Sequence, residues 1–272
     1  MSVPAVCSRG GGRFGSVLRS LAYALYARRL RSQLAGQPMP RHVALIMDGN
    51  RRWARQMGLA SPSLGHKYGA EHVEDVLRWC RAAGIKHVTV FVCSTENLMR
   101  RDDAEIAFLM QVIEDVIARK LIANPTWQVH IAGILDVLPD STARALKTAV
   151  AATRDCATGA HVTLAIGYGG RQEVVDAVVC LLIEQGTAGG TLTELARTLT
   201  DDDIARHLYT AGQPDPDLVI RTSGEQRLSN FLLWQSEGCE LYFCEAYWPG
   251  FREIDFLRAL RSHAARRRRP GS

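Results

Sequence analysis

Six short runs rich in β-branched and aromatic residues recur along the chain, separated by helical patterns. The runs are HVALIM (42–47), HVTVFV (87–92), WQVHIAG (127–133), HVTLAI (161–166), LVIRTS (218–223) and ELYFCE (240–245). Each is nearly continuous rather than strictly alternating, the pattern of a strand buried on both faces. Between them apolar residues return at helical spacing over 68–83, 103–123, 141–156 and 172–185. This alternation predicts an α/β fold on a parallel or mostly parallel sheet with helices on both faces. A chain of 272 residues builds one such core rather than two. Ligands of these sheets bind beyond the carboxyl ends of the strands.

Charge is unevenly distributed. Residues 1–47 hold seven arginines and no acidic residue, +7, on a chain of net charge +5, so residues 48–272 are slightly acidic at −2. The C-terminus repeats the bias in RSHAARRRRPGS. Basic ends on a near-neutral body point to nucleic acid, lipid headgroups or a phosphorylated substrate, or are merely solvated. Phe14, Val17, Leu18, Leu21, Leu25, Leu30 and Leu34 recur at near-helical spacing between arginines. They predict an amphipathic basic helix that packs on the body, or else touches a membrane surface or an incoming substrate. The chain thus divides into a basic arm over 1–40, an α/β domain over 41–262 and a basic tail over 263–272.

The seven cysteines form no C-x-x-C pair, and their places inside apolar runs fit the reduced thiols of a cytoplasmic protein. No apolar run approaches the roughly 18 to 20 residues of a bilayer crossing. The stretch SLAYALYA (20–27) is followed by arginines, not by a small-residue cleavage site. An arginine-rich, acid-free leader also has the composition of an organelle transit peptide.

Chemistry is expected where the strands end. Asp48-Gly49-Asn50-Arg51-Arg52-Trp53 follows the first run, CSTENLMRR (93–101) the second and GYGGRQE the fourth; the fifth continues into RTSGEQRLSNF (221–231), and the last begins with Glu240. Singly, such residues serve as caps, turns or ion-pair partners. Together they place Arg51, Arg52, Arg100, Arg221 and Arg227 on one rim with Asp48, Glu96, Glu225 and Glu240. Guanidinium forks match phosphate oxygens bidentately, and Gly49 opening a helix adds backbone N–H donors. One carboxylate with open coordination positions is how proteins hold Mg²⁺ bridged to substrate phosphates, so a metal-diphosphate site is expected. No G-x-x-x-x-G-K-[ST] and no G-x-G-x-x-G occurs, against an ordinary ATPase or dehydrogenase. GYGGR (167–171) reads as a tight strand-to-helix turn, GTAGGTLTEL (186–195) as a surface loop and TDDDIAR (200–206) as a helix start.

The motifs HVALIMDGNRRWA (42–54), GHKYGAE (65–71), STEN (94–97), GYGGRQEVVDA (167–177) and DLVIRTSGEQRLSNFLLWQ (217–235), followed by ELYF (240–243), resemble in order those of the cis-prenyltransferases, the undecaprenyl diphosphate synthase family. The resemblance runs from about Pro40 to Leu260 and is nearest to actinobacterial short-chain members that make Z,E-farnesyl diphosphate. It implies a six-stranded, mostly parallel sheet with a hydrophobic substrate tunnel, and a homodimer. It also implies a Mg²⁺-dependent condensation of isopentenyl diphosphate with an allylic diphosphate such as geranyl diphosphate, forming a Z double bond. The resemblance places Asp48 at the metal with Glu240 as second acidic ligand, and Asn97 where a proton is removed. Gly49, Asn50, Arg51, Arg52, Trp53 and His66 are implied around the allylic diphosphate. Ser94, Thr95, Glu96, Leu98 and Arg100 are implied beside the reacting groups, and Arg221, Arg227, Leu228 and Ser229 around isopentenyl diphosphate. Nucleic acid is not among the implied partners, and peripheral membrane contact falls to the N-terminal helix.

The chain departs from the family pattern in three places. Leu98 stands where the family commonly carries Trp, and LASPSL (59–64) lacks an Arg common before GH. Val92 stands where long-chain members often have a small residue; a β-branched side chain narrows a tunnel and favours a product of about C15. The alternatives are a longer polyprenyl diphosphate, an irregular branched product, or a noncatalytic subunit of a prenyltransferase complex. Retention of Asp48, Asn97, Arg221, Arg227 and Glu240 speaks against the last. Arg269 to Gly271 form an Arg-x-Gly pattern like one that reaches the partner's active site in some relatives.

Overall fold

The structure, a computed structural model, describes residues 13–123 and 125–267; the Arg-x-Gly pattern lies outside them. Six strands, β1 (His42–Ile46), β2 (His87–Ser94), β3 (Gln128–Ala132), β4 (His161–Tyr168), β5 (Leu218–Arg221) and β6 (Glu240–Phe243), form one sheet. Their order is β3-β4-β2-β1-β5-β6, and every pairing is parallel. The helices are α1 (Arg13–Leu34), α2 (Asn50–Gln56), α3 (Leu64–Ala82), α4 (Thr95–Arg100), α5 (Asp103–Val116), α6 (Asp140–Thr153), α7 (Gly170–Thr187), α8 (Leu192–Thr198), α9 (Asp201–Ala205) and α10 (Glu253–Arg266).

Two expectations change. The helix expected over 103–123 ends at Val116 and continues as a π-helical segment, Ile117–Ile122. The expected loop over 186–195 contains the start of α8, where Thr191 and Glu194 cap each other's backbone; T-x-x-E is the capping-box signature.

Alternation along β2 divides the interior in two. Val88, Val90 and Val92 join the larger core, while Phe91 faces the smaller one, stacked on Phe231 at 4.6 Å. Ala27, Leu30 and Leu34 of α1 are buried in the larger core. That core is incompletely filled. A cavity of about 630 Å³, lined among others by Met47, Val73, Val92, Ile113, Leu164 and Trp127, runs between the sheet, α3 and α5. The cavity is mainly apolar, though Glu74, Arg78, Arg81 and Lys120 also line it, and Val92 forms part of its wall, where the implied tunnel would run.

The amino end of the sheet carries a row of imidazoles. His42, His87 and His161 are in direct register. The His87 and His161 rings stack at 4.7 Å, and His130 Nε2 lies 3.1 Å from His161 Nδ1. His42 hydrogen-bonds Pro214 O at 2.6 Å and Thr89 Oγ1 at 2.8 Å. Burial first, then the neighbouring imidazoles, pushes His87 down to about 4; burial also lowers His42 and His130. Unfolded histidines titrate near ~6.5, so between about pH 6.5 and 4 the unfolded chain binds more protons and stability falls as pH falls. The urea midpoint should therefore drop from pH 7 to pH 5, and His87→Phe should flatten the drop; an unchanged slope in the variant contradicts this account.

Candidate active site

β1 ends at Ile46, in register with Arg221 at the end of β5, so the two strands deliver Asp48 and Arg221 to one point. Arg221 Nη2 donates to Asp48 Oδ2 at 2.8 Å. Arg221 is only 4% exposed, and its Nη1 donates to Arg227 O at 2.5 Å and Ser229 Oγ at 2.7 Å. A buried guanidinium is tolerated because these acceptors replace water. Its Nε has no protein acceptor.

The other Asp48 oxygen accepts from Arg52 Nη2 at 3.3 Å. Arg52 also donates to Ser223 Oγ at 2.8 Å, pairs with Glu225 at 3.5 Å and lies over the Tyr247 ring. Burial alone would raise the Asp48 pKa, but the Arg221 hydrogen bond and charge, with Ser223 and Arg52, outweigh it and hold it below the ordinary carboxylate value. Asp48 is therefore ionised, flanked by guanidinium groups from α2 and β5. Thr222 Oγ1 and Trp248 N donate to its carbonyl and fix its backbone.

Gly49 has φ +99°, and a Cβ there would stand 2.6 Å from Tyr247, so glycine is required for the turn into α2. Asn50 turns inward: its Nδ2 donates to Met47 O at 2.9 Å, and its Oδ1 fills the space a Cβ at Gly69 would need. It secures α2 to α3. Trp53 is likewise buried, packed on Tyr68 at 5.2 Å, so it supports the site from behind instead of lining it as expected.

Arg51, His66 and Arg101 converge on Glu105 at the start of α5, at 3.2, 3.3 and 3.3 Å. Burial, then the Arg101 charge, pushes His66 down to about 4, so it is a neutral partner there. Glu105 escapes sequence reading because an acidic residue in a helix's first turn is ordinary.

Ser94 caps α4 by accepting from Asn97 N at 3.0 Å. Asn230 Nδ2 donates to Glu96 at 2.9 Å, and its Oδ1 accepts from Arg171 N at 2.9 Å, tying the β5–β6 loop to α4 and α7. That loop holds Ser223, Ser229, Asn230 and Leu232 at positive φ, conformations that persist only where surroundings enforce them. Thr95 and Leu98 are half-buried on α4, Leu228 packs on the smaller core, and Arg100 is exposed at the end of α4. Arg227 is exposed and pairs with Glu225.

Glu240 is a correction. It opens β6 in register with Leu218, whereas Arg221 pairs with Phe243 at the other end, three residues or roughly 10 Å away. It pairs with Arg266 at 2.9 Å. Within one chain it does not share the rim with Asp48, because the run ELYF starts, rather than ends, with its carboxylate. The acidic residue at the carboxyl end of β6 is Glu245, whose Oε2 abuts Gly224.

The residues present fit a divalent cation at Asp48. Its carboxylate is ionised, 29% exposed, and retains free lone pairs beyond two guanidinium contacts. Among the described residues no three His, Cys, Asp or Glu side chains gather as a metal cage. A cation here would lean on substrate phosphate oxygens and water, the mode that suits Mg²⁺.

Removing Glu105 should loosen Arg51 without disturbing the core. Glu105→Gln is expected to weaken inorganic diphosphate binding roughly tenfold by calorimetry, the size of one charge-assisted hydrogen bond, with the far-UV spectrum unchanged. Unaltered affinity would remove Glu105 from the site.

Residues 46–271 match the family model described as "Putative undecaprenyl diphosphate synthase". An isoprenyl transferase of Streptomyces fradiae is 74% identical over 255 residues, covering 93% of this chain and 98% of that protein. A (2Z,6E)-farnesyl diphosphate synthase of Mycolicibacterium smegmatis is 50% identical, covering 93% and 97%. Among solved structures, lavandulyl diphosphate synthase from Lavandula x intermedia, in complex with dimethylallyl diphosphate, superposes with TM-score 0.76 at 32% identity, covering 83% of this chain and 95% of that one.

Proposed function

Because this chain belongs to the undecaprenyl diphosphate synthase family of prenyltransferases, we propose that it condenses isopentenyl diphosphate with a short allylic diphosphate, geranyl diphosphate foremost, to give a short Z-isoprenyl diphosphate such as Z,E-farnesyl diphosphate. The observation that carries this reading is the position of Asp48. It stands between guanidinium groups of two separate elements, and the residue before it, Met47, lines the mainly apolar cavity. Two anionic heads at the rim and one growing hydrocarbon in the tunnel suit that arrangement.

In this reading Arg51, Arg52 and the first N–H groups of α2 hold the allylic diphosphate, while Arg221, Arg227 and Ser229 hold isopentenyl diphosphate. The orphaned Arg221 Nε supports this, since a phosphate oxygen is the acceptor it lacks. The allylic C1–O bond breaks and the leaving diphosphate takes the electron pair. Pre-positioned guanidinium and N–H groups stabilise that developing charge without reorganising. The isopentenyl alkene attacks C1, and loss of its C2 proton completes the product. Asn97, whose amide is a weak base, orients that end of the substrate beside Ser94. Bound at Asp48, Mg²⁺ would add charge neutralisation on the diphosphate.

Val175, Val179, Leu182 and Ile183 form an exposed apolar stripe on α7, each 41–63% exposed. Its helical spacing supports a homodimer through this face. Light scattering should find a dimer that Ile183→Glu converts to a monomer.

Product length follows the tunnel. Val92 on its wall supports a product of about C15; the continuation of the cavity to Trp127 favours a longer chain as the second reading. Purified protein with Mg²⁺, labelled isopentenyl diphosphate and geranyl diphosphate should yield a C15 alcohol after dephosphorylation. Asp48→Ala should lose at least about 100-fold in rate, in line with removal of a key transition-state contact. Val92→Ala should lengthen the product; a wild-type ladder of long polyprenols would instead establish the second reading.

A further inference from the structure

The exposed side of α1 is not explained by prenyl transfer. On a helix turning about 100° per residue, Ala27, Leu30 and Leu34 share one face, and that face is buried. Leu18, Leu21 and Leu25 fall on the opposite face, where they are 65%, 56% and 67% exposed. Arg28 and Arg29, both exposed, flank this leucine stripe. The helix is thus apolar on two opposite sides, and among the described residues only one of them is packed against the body.

A second feature adjoins it. Gln33, Tyr242, Arg258, Arg261 and Ser262 line a groove of about 650 Å³ where α1 meets α10. Arg258 lies over the Tyr26 ring, 5.1 Å from its centroid, and donates to Tyr26 OH at 3.2 Å. Arg261 reaches Gln33 at 3.3 Å. On the helix wheel Tyr26 and Gln33 lie beside Arg29, so groove and stripe form one surface. Nothing acidic on α1 opposes it, since residues 1–47 contain no Asp or Glu and seven arginines. The carboxylates of α10 nearby are already paired, Glu253 with Arg31 of α1 and Asp255 with Arg252 and Arg258.

We propose that this surface docks the protein on an anionic lipid bilayer. The leucine stripe enters the headgroup boundary, Arg28 and Arg29 extend to lipid phosphates, and the Arg258–Arg261 groove takes a headgroup phosphate. Charge chooses this occupant over a second copy of the chain, because apposing two such faces would bring arginines against arginines. No described helix is long and apolar enough to cross a membrane, so the contact is interfacial. It leaves the α7 stripe free and places no demand on the catalytic rim.

The test is co-sedimentation of the full chain with vesicles of phosphatidylglycerol and phosphatidylcholine, against phosphatidylcholine alone. Binding should require the anionic lipid and weaken as salt rises. Leu21→Ser with Leu25→Ser should reduce partition at least about tenfold. Arg28→Gln with Arg29→Gln should reduce it roughly 30-fold, from about 1 kcal/mol per arginine near an anionic surface. Prenyl transfer from short water-soluble substrates should be unchanged in both double variants, which shows that the fold survives. Equal partition on neutral and anionic vesicles, or partition indifferent to the leucine pair, overturns the proposal. So does a loss of oligomer mass in the leucine variant without vesicle binding by the wild type, which would make the stripe an interface between copies.

Discussion

Arg221 is a charged group at the end of a buried parallel strand, and the geometry around it follows from satisfying that charge. Asp48 on the neighbouring strand supplies the counter-charge, and the 227–229 segment folds back to supply a carbonyl and a hydroxyl. Breaking a buried pair by removing one partner costs far more than its presence gains. The turn after β1 and the loop after β5 are therefore coupled: neither can relax without stranding a charge. Positive φ values at Ser223, Ser229, Asn230 and Leu232 are maintained by this coupling.

The parallel sheet makes such a rim available. With both faces covered by helices, the polar strand ends gather at one edge, and side-chain alternation sends successive residues to different layers. Phe91 and Val92 show the consequence. One closes the smaller core against Phe231, and the other lines the cavity. Polar head chemistry and apolar chain accommodation are thereby adjacent, separated by the step from Met47 to Asp48.

Several residues act by holding others. Glu105 gathers Arg51, His66 and Arg101, Asn50 locks α2 on α3, and Asn230 ties the β5–β6 loop to α4 and α7. The rim is preorganised by these contacts, so little reorganisation is needed when a diphosphate arrives.

The sequence by itself determined the six strands and most helix spans, since continuous β-branched runs and helical spacing are local patterns. Burial on both faces, however, holds only for β1, β2, β4 and β5, while the edge strands β3 and β6 are partly exposed. The sequence also marked Asp48, Arg52 and Arg221, because they lie at or just beyond strand ends, whereas Ser229 came only with the family resemblance. Tertiary structure decided what depends on direction and partner. Glu240 belongs to the opposite end of β6, which a run of letters does not orient. Trp53 and Asn50 face inward, Glu105 joins the site from 39 residues beyond His66, and the leucines of α1 divide between core and surface. A side chain's chemistry is written at its own position, but its burial and its contacts are fixed by elements distant in the chain, and those meet only when the sheet has formed.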